Sequence, residues 1–374
     1  MNNINMLKTI ILVVIFIAVG VLIFAYINKI FSAGDSDANR QTFKAFYAEE
    51  NNTIDVMYLG TSASNRYFIN PKAYHDEGIS SFTIATMGMP LFFVPDLIEE
   101  VEKTQDPNLY IIELRWVLKQ KDQITDAHIR RVTDNIKSIG NKNDAIDKAF
   151  AVMDGDTGML DDITFNKLDY LIPVIKYHGR LEERQLTRND FKLTSSKNKT
   201  KGYVVSFNTT KQVNQFPSRL SEERAPLTEE VDTVLDEVLD YCDNLPEDKQ
   251  ILFVLSPYSV KKNQMPIFNT ALDKVADRGY TVINFNSPEM YEELDVDWDH
   301  DFYNSKHFNY IGAEKYTDWL TSYLKENYDL HDHRGDPKYK SWEEAYKIYK
   351  DCVKDGIQTV GHKEKIGGEV VIVK

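Results

Sequence analysis

From Ile10 to Ile27 the chain runs 18 residues without a charge. A backbone that enters lipid must satisfy its own hydrogen bonds, so a run of this kind is restricted to a helix. At 1.5 Å per residue it spans about 27 Å, close to the ~30 Å hydrocarbon core of a bilayer. Lys8 and Lys29 flank the run, and Tyr26 suits one interface. A cleaved signal peptide is the competing reading. Its apolar region is usually shorter, and no small-x-small site follows here. Residues 1–31 are therefore expected to form an uncleaved single-pass anchor. Lys8 and the amino terminus favour an N-terminus inside, which leaves the rest of the chain extracytoplasmic at the cell membrane.

The full chain has 374 residues, enough for a sizeable core. Its net charge of −14 argues against a nucleic-acid partner, because phosphate binding needs basic patches. After a linker over 32–53 the pattern becomes α/β. Strand-length apolar runs fall at Ile54–Leu59, Ser81–Met87, Leu109–Trp116, Gln250–Tyr258 and Tyr280–Phe285. Helical spacing separates several of them, at Val94–Lys103, Thr228–Asn244 and Lys262–Arg278. Strands alternating with helices imply a parallel sheet covered on both faces. The expected fold is α/β: three layers around a five-stranded, mostly parallel, flavodoxin-like sheet within residues 54–330.

Two segments lie outside that repeat. About 125–216 forms an insertion, helical at first, with Ile129, Val132, Ile136 and Ile139 at helical spacing and then Leu168, Leu171, Ile172 and Ile175. Its later part, Thr194 to Thr210, reads as a loop. The insertion is either a passive cap or a wall of the site. The tail, 331–374, opens with Ser341 as an expected N-cap and Glu344 completing a capping box. It ends on a short strand at Gly368–Lys374. Cys242 and Cys352, the chain's two cysteines, imply no disulfide framework.

Two motifs carry chemistry. The strand Ile54-Asp-Val-Met-Tyr-Leu-Gly60 runs into Thr61-Ser62. The carboxyl edge of an open α/β sheet is where such folds place their sites. Gly60 is expected to permit a tight turn there. Ser62 is a candidate nucleophile, with a helix N-cap as the alternative. Late in the chain, Asp301-Phe-Tyr-Asn304-Ser-Lys-His307 precedes a helix beginning near Ala313. His307 is the candidate base that a serine hydroxyl requires. His331 and His333 read as surface loop residues. Asp295, Asp297, Asp299 and Asp301 alternate upstream. They fail as a calcium loop, because His300 and Lys306 occupy the glycine and glutamate positions. No metal-ligand set and no cofactor is expected. Asp301 is the first candidate to orient the imidazole.

With these segments in view, the chain resembles the SGNH/GDSL hydrolase superfamily, in the membrane-anchored branch of cell-surface acyl-transfer proteins related to teichoic-acid D-alanylation and alginate O-acetylation. The matching segments are Val56–Ser64 with Phe68–Pro71, Gly78–Gly88, and Asp301–Glu314. By that resemblance Ser62 is the nucleophile, Ser62 and Gly88 form the oxyanion site, and His307 is the base. The family's Asp-x-x-His is Asn304-Ser-Lys-His307 here. An amide can hold the imidazole tautomer but cannot stabilise an imidazolium as a carboxylate does. The family's oxyanion asparagine after the third strand has no counterpart. Glu113 and Arg115 stand there, as a structural ion pair or as substrate contacts.

The resemblance implies an extracytoplasmic serine O-acyltransferase or esterase. Its substrates would be an acyl donor and a cell-surface glycopolymer, with an acetyl or D-alanyl group as cargo. A multi-spanning membrane O-acyltransferase is the implied partner. The alternative is a non-catalytic protein of the same fold that docks to that acyltransferase. No apolar lid segment supports a secreted lipase.

Overall fold

The computed structural model describes residues 3–31, 37–153, 167–182, 186, 191, 199–212, 220–257, 260–360, 362–366 and 369–373. One helix, Asn3–Phe31, accounts for the N-terminal apolar run, and its side chains are exposed from Asn5 to Ile27. Its length and composition suffice to cross a membrane. Within the expected linker, Asp37–Phe46 is helical, and Phe43 and Phe46 are buried against the sheet. That segment therefore belongs to the body of the domain. Residues 32–36 lie outside the described residues.

Five strands form the central sheet: β1 (Val56–Gly60), β2 (Ser81–Ala85), β3 (Leu109–Glu113), β4 (Gln250–Leu255) and β5 (Thr281–Asn284). Their order is β2-β1-β3-β4-β5, and each neighbouring pair is parallel. The period-2 pattern divides the core in two. Met57, Leu59, Phe82, Ile84, Tyr110, Ile112 and Phe253 point to one face, against helices Val94–Val101, Glu229–Asp243 and Met265–Asp277. Val56, Tyr58, Leu109, Ile111, Leu252 and Val254 point to the other, where helix Tyr310–Asn327 contributes Tyr316, Leu320 and Leu324. Strands buried on both faces explain why the sequence shows apolar runs here instead of alternation. Four of the five runs overshoot their strands at the C-terminal end, because the chain leaves the sheet there to build loops; the first, Ile54–Leu59, stops one residue short of Gly60. Tyr258 lies outside the described residues.

The insertion begins with helices Asp126–Thr133 and Ile139–Met153. Ile129, Val132 and Ile136 are buried as their spacing predicts, but Ile139 starts a new helix and is exposed. The second apolar run is two short helices, Lys167–Leu171 and Pro173–Tyr177, because Pro173 cannot continue a helix. Of the expected loop, 194–198 lie outside the described residues. The described part runs beside the free edge of β2, where the Thr83 amide donates to the Lys201 carbonyl at 3.1 Å. Gly202 has φ +91°, and a side chain there would collide with the Thr83 backbone.

Ser341 is not a helix cap. The tail helix is Lys340–Val360, and the Ser341 hydroxyl accepts from Lys201 Nζ at 2.8 Å. The cap before it is Asp336, whose carboxylate accepts from the Lys338 amide at 2.9 Å. Trp342 is fully buried and donates to the Ser81 carbonyl at 3.2 Å, so the tail packs onto the body. The final strand, Glu369–Val373, pairs antiparallel with His362–Ile366, which in turn pairs with Thr209–Thr210. Gly368 and Lys374 lie outside the described residues. Cys242 is buried, Cys352 is exposed, and both are free thiols.

Candidate active site

β1 delivers Ser62 to the carboxyl edge of the sheet. The turn at Thr61–Ala63 joins it to the one-turn helix Ser64–Tyr67. Gly60 is required for space and not for a left-handed backbone. A Cβ on it would lie 2.5 Å from Glu113 Cβ on the neighbouring strand. Ser62 is not a helix cap: helix Ser64–Tyr67 has no side-chain cap.

The histidine arrives on a small antiparallel hairpin, Phe302–Asn304 with His307–Phe308. Phe302 and Phe308 enter the core, and the alternation turns His307 the other way, toward Ser62. Behind it, Asn309 caps helix Tyr310–Asn327 by accepting from the Ile311 amide at 2.9 Å. The Lys306 carbonyl accepts from Arg115 Nη2 at 2.6 Å and lies 2.9 Å from the Tyr67 hydroxyl. Those two contacts fix the hairpin against the ends of β1 and β3.

The result is a serine–histidine–asparagine line. Ser62 Oγ lies 2.8 Å from His307 Nε2, and His307 Nδ1 lies 3.1 Å from Asn304 Oδ1. The Lys306 amide donates to the same Oδ1 at 2.8 Å, which identifies that atom as an acceptor. His307 Nδ1 therefore carries the proton, and Nε2 presents its lone pair to the serine hydroxyl. This is the tautomer a general base needs. Its charged form is disfavoured, however. Burial, then Arg115, Arg66 and Lys306, push the imidazole pKa down to about 2. The imidazole is neutral at pH 7, and among the described residues the charges that act on it are the cations Arg115, Arg66 and Lys306.

Asp301 does not orient the imidazole. Its carboxylate accepts from the Asp297 amide at 2.7 Å and pairs with Lys315 at 3.0 Å. It is buried between the acidic loop and helix Tyr310–Asn327, so it braces the loop. Glu113 is also structural. Its carboxylate accepts from the Arg115 and Ser256 amides, each at 3.1 Å, and from the Tyr58 hydroxyl at 3.2 Å. Burial raises its pKa while Arg115 opposes the rise. Arg115 reaches the site itself. Gly88 follows β2 with φ +67°, and a Cβ there would strike Trp116 and come within 2.8 Å of His128 Nε2.

Ser62, Gly88 and His307 open onto one cavity of about 460 Å³. Among the described residues its lining includes Arg115, Lys119, Arg131, Lys261 and Lys306 and no carboxylate, although the whole chain is strongly acidic. Trp116 and Met87 add an apolar wall, and His128 and Arg131 come from the insertion. The insertion is therefore a wall of the site. Sequence reading did not find Lys119, Lys261, His128 or Arg131, because they are scattered over unrelated loops and helices. Tyr67 was equally hidden, although it lies five residues after Ser62, at the end of the helix that follows the turn.

An imidazole that accepts from a serine hydroxyl, in a cavity of this charge, can take a proton from that hydroxyl and return it to a leaving group. No protein-family model matches the chain, and no curated protein matches it.

Proposed function

We propose that this is a membrane-anchored, extracytoplasmic serine O-acyltransferase or esterase of the SGNH/GDSL type, acting on a cell-surface glycopolymer. The observation that carries the proposal is the 2.8 Å approach of Ser62 Oγ to His307 Nε2 across 245 residues of sequence, at the carboxyl edge of a parallel sheet. The strand order supports the flavodoxin-like reading of that sheet, which places ligands at this edge. In the reaction Ser62 Oγ attacks an acyl carbonyl while its proton passes to His307 Nε2. The tetrahedral intermediate collapses to an acyl-serine, and the leaving oxygen takes that proton. Water or a sugar hydroxyl then attacks the acyl-serine and gives its proton to His307 Nε2; the bond from the acyl carbon to Ser62 Oγ breaks, and Oγ takes that proton back. The backbone amides of Ser62 and Gly88 are the proposed oxyanion donors. The five cations lining the cavity favour an anionic acceptor, whose charge would offset the imidazolium that Asn304 leaves unbalanced. The acyl group, acetyl or D-alanyl, would be delivered by a multi-spanning O-acyltransferase beside the anchor, where tethering raises effective concentration.

One observation favours a second reading, a non-catalytic docking partner of that acyltransferase. The residue at His307 Nδ1 is an amide, and the surrounding cations oppose imidazolium formation. A fluorophosphonate probe on the purified full chain separates the two. Covalent labelling that Ser62→Ala abolishes supports the enzyme. Absence of labelling, together with unimpaired polymer acylation in cells carrying Ser62→Ala, refutes it.

A further inference from the structure

Outside the N-terminal helix, the large apolar side chains exposed among the described residues are few and confined. Met87 lines the site cavity. The other five are Ile139, Leu168, Ile175, Leu181 and Phe191, all in the insertion, with exposures from 43% to 70%. Scattered exposed apolar residues need no explanation, but a set restricted to one segment does.

The N-terminal helix supplies the explanation. Its last turn docks on that same segment. Asn28 Oδ1 accepts from the Val174 amide at 3.0 Å, Asn28 Nδ2 reaches the Leu171 carbonyl at 3.4 Å, and the Tyr26 hydroxyl donates to the Phe191 carbonyl at 2.9 Å. These contacts fix the insertion at the level of Tyr26 and Asn28. That is the end of the uncharged run, where a spanning helix meets the headgroups and where tyrosine is favoured. If the N-terminal helix spans a bilayer, these hydrogen bonds hold helices Lys167–Leu171 and Pro173–Tyr177 at its surface, whatever their own affinity for it.

We propose that the insertion is a membrane-resting foot, with Ile139, Leu168, Ile175, Leu181 and Phe191 seated in the headgroup–acyl boundary of a phospholipid bilayer beside the anchor. The proposal rests on the anchor reading of the N-terminal helix and not on catalysis. Its consequence reaches the site. Helix Asp126–Thr133 packs on Ile139–Met153, which packs on Lys167–Leu171, so foot and site wall are one body. His128 and Arg131, on the first of these helices, line the cavity. Contact with the bilayer would therefore set the height and tilt of the Ser62 cavity above the membrane.

The test uses the full chain with Cys352→Ser, leaving the buried Cys242 in place, in vesicles of phosphatidylcholine and phosphatidylglycerol. Single cysteines at Val19, Ile175, Leu181 and Asn327 are spin-labelled. Their exposure to dissolved oxygen and to a water-soluble nickel chelate is then compared. Asn327 ends a helix on the opposite face of the sheet. The expected result is a lipid signal at Val19, an aqueous signal at Asn327, and labels at Ile175 and Leu181 lying about 5–10 Å into the boundary. If Ile175 and Leu181 are as aqueous as Asn327 while Val19 is in lipid, the foot is overturned and the apolar set belongs to a protein partner. If Val19 is itself aqueous, the anchor reading falls and the foot with it. Loss of fluorophosphonate labelling in any of these variants bears on the catalytic proposal alone.

Discussion

Two histidines sit at opposite ends of β1, and their partners are reversed from what a hydrolase would lead one to expect. At the carboxyl end His307 faces Ser62 on one side and the neutral amide of Asn304 on the other. At the amino end His333 Nε2 lies 2.6 Å from a carboxylate, Asp55, and its ring stacks on Tyr339 at 3.8 Å. The His–Asp pair is the structural one. It ties the tail to the entrance of the first strand, and the His333 carbonyl also accepts from Tyr74 at 2.8 Å. The pair that faces the cavity has an amide in place of the carboxylate and cations around it. A carboxylate beside an imidazole is therefore no sign of catalysis in this fold. What distinguishes the His307 end is a hydroxyl on the free lone pair and a cavity in front of it.

The largest effect that would break this contrast is at Ser62. Ser62→Ala should lower the rate of ester hydrolysis or probe labelling by about a thousandfold or more, with an unchanged urea midpoint. His333→Ala should leave the labelling rate unchanged. Labelling that depends on His333 and not on Ser62 would invert the comparison.

Next comes Asn304→Asp, which gives the His307 end the partner that the His333 end already has. A carboxylate at this distance favours the imidazolium, so the labelling rate should rise about tenfold or more and acquire an acid limb. A rate that does not change would mean that charge at His307 Nδ1 is not what limits the site.

At the other end, His333→Ala should cost about 2 kcal/mol in chemical denaturation, because it strands the Asp55 carboxylate. The last effect concerns pH. His307 is held neutral in the folded chain with a pKa of about 2, against 6.5 ordinarily. The unfolded chain thus binds a proton below pH 6.5 that the folded chain refuses. Stability is full above that value and falls on acidification, by up to about 1.4 kcal/mol per pH unit from this group. His307→Gln should show a shallower loss between pH 7 and pH 5 in urea titrations. An identical slope would place the acid sensitivity elsewhere.

Much of this was legible in local pattern. The apolar run from Ile10 to Ile27 lies within one helix, and each of the five apolar runs in the body overlaps a sheet strand. Gly-x-Ser and the late histidine meet as their positions suggest, because a parallel sheet places every strand's carboxyl end along one edge. Other features were not legible. Asp301 looked like the orienting acid because it is near His307 in sequence, but it lies before the hairpin and is held by Lys315 and the Asp297 amide, while a register shift between Phe302 and Asn304 sets Asn304 opposite His307. Ser341 has the sequence of a cap, yet Pro337 and Asp336 start the turn earlier. His333 read as a surface residue, and only the return of the tail to β1 pairs it with Asp55.

The sequence by itself determined the apolar N-terminal helix, the α/β alternation and the serine and histidine, because burial periodicity and turn chemistry act over a few residues. Only the tertiary structure decided that Asn304 and not Asp301 faces the imidazole, that five cations from four separate segments line one cavity, and that the insertion rests against the end of the N-terminal helix. Those outcomes depend on which distant segments the sheet and its crossovers bring into contact, and local pattern carries no record of that.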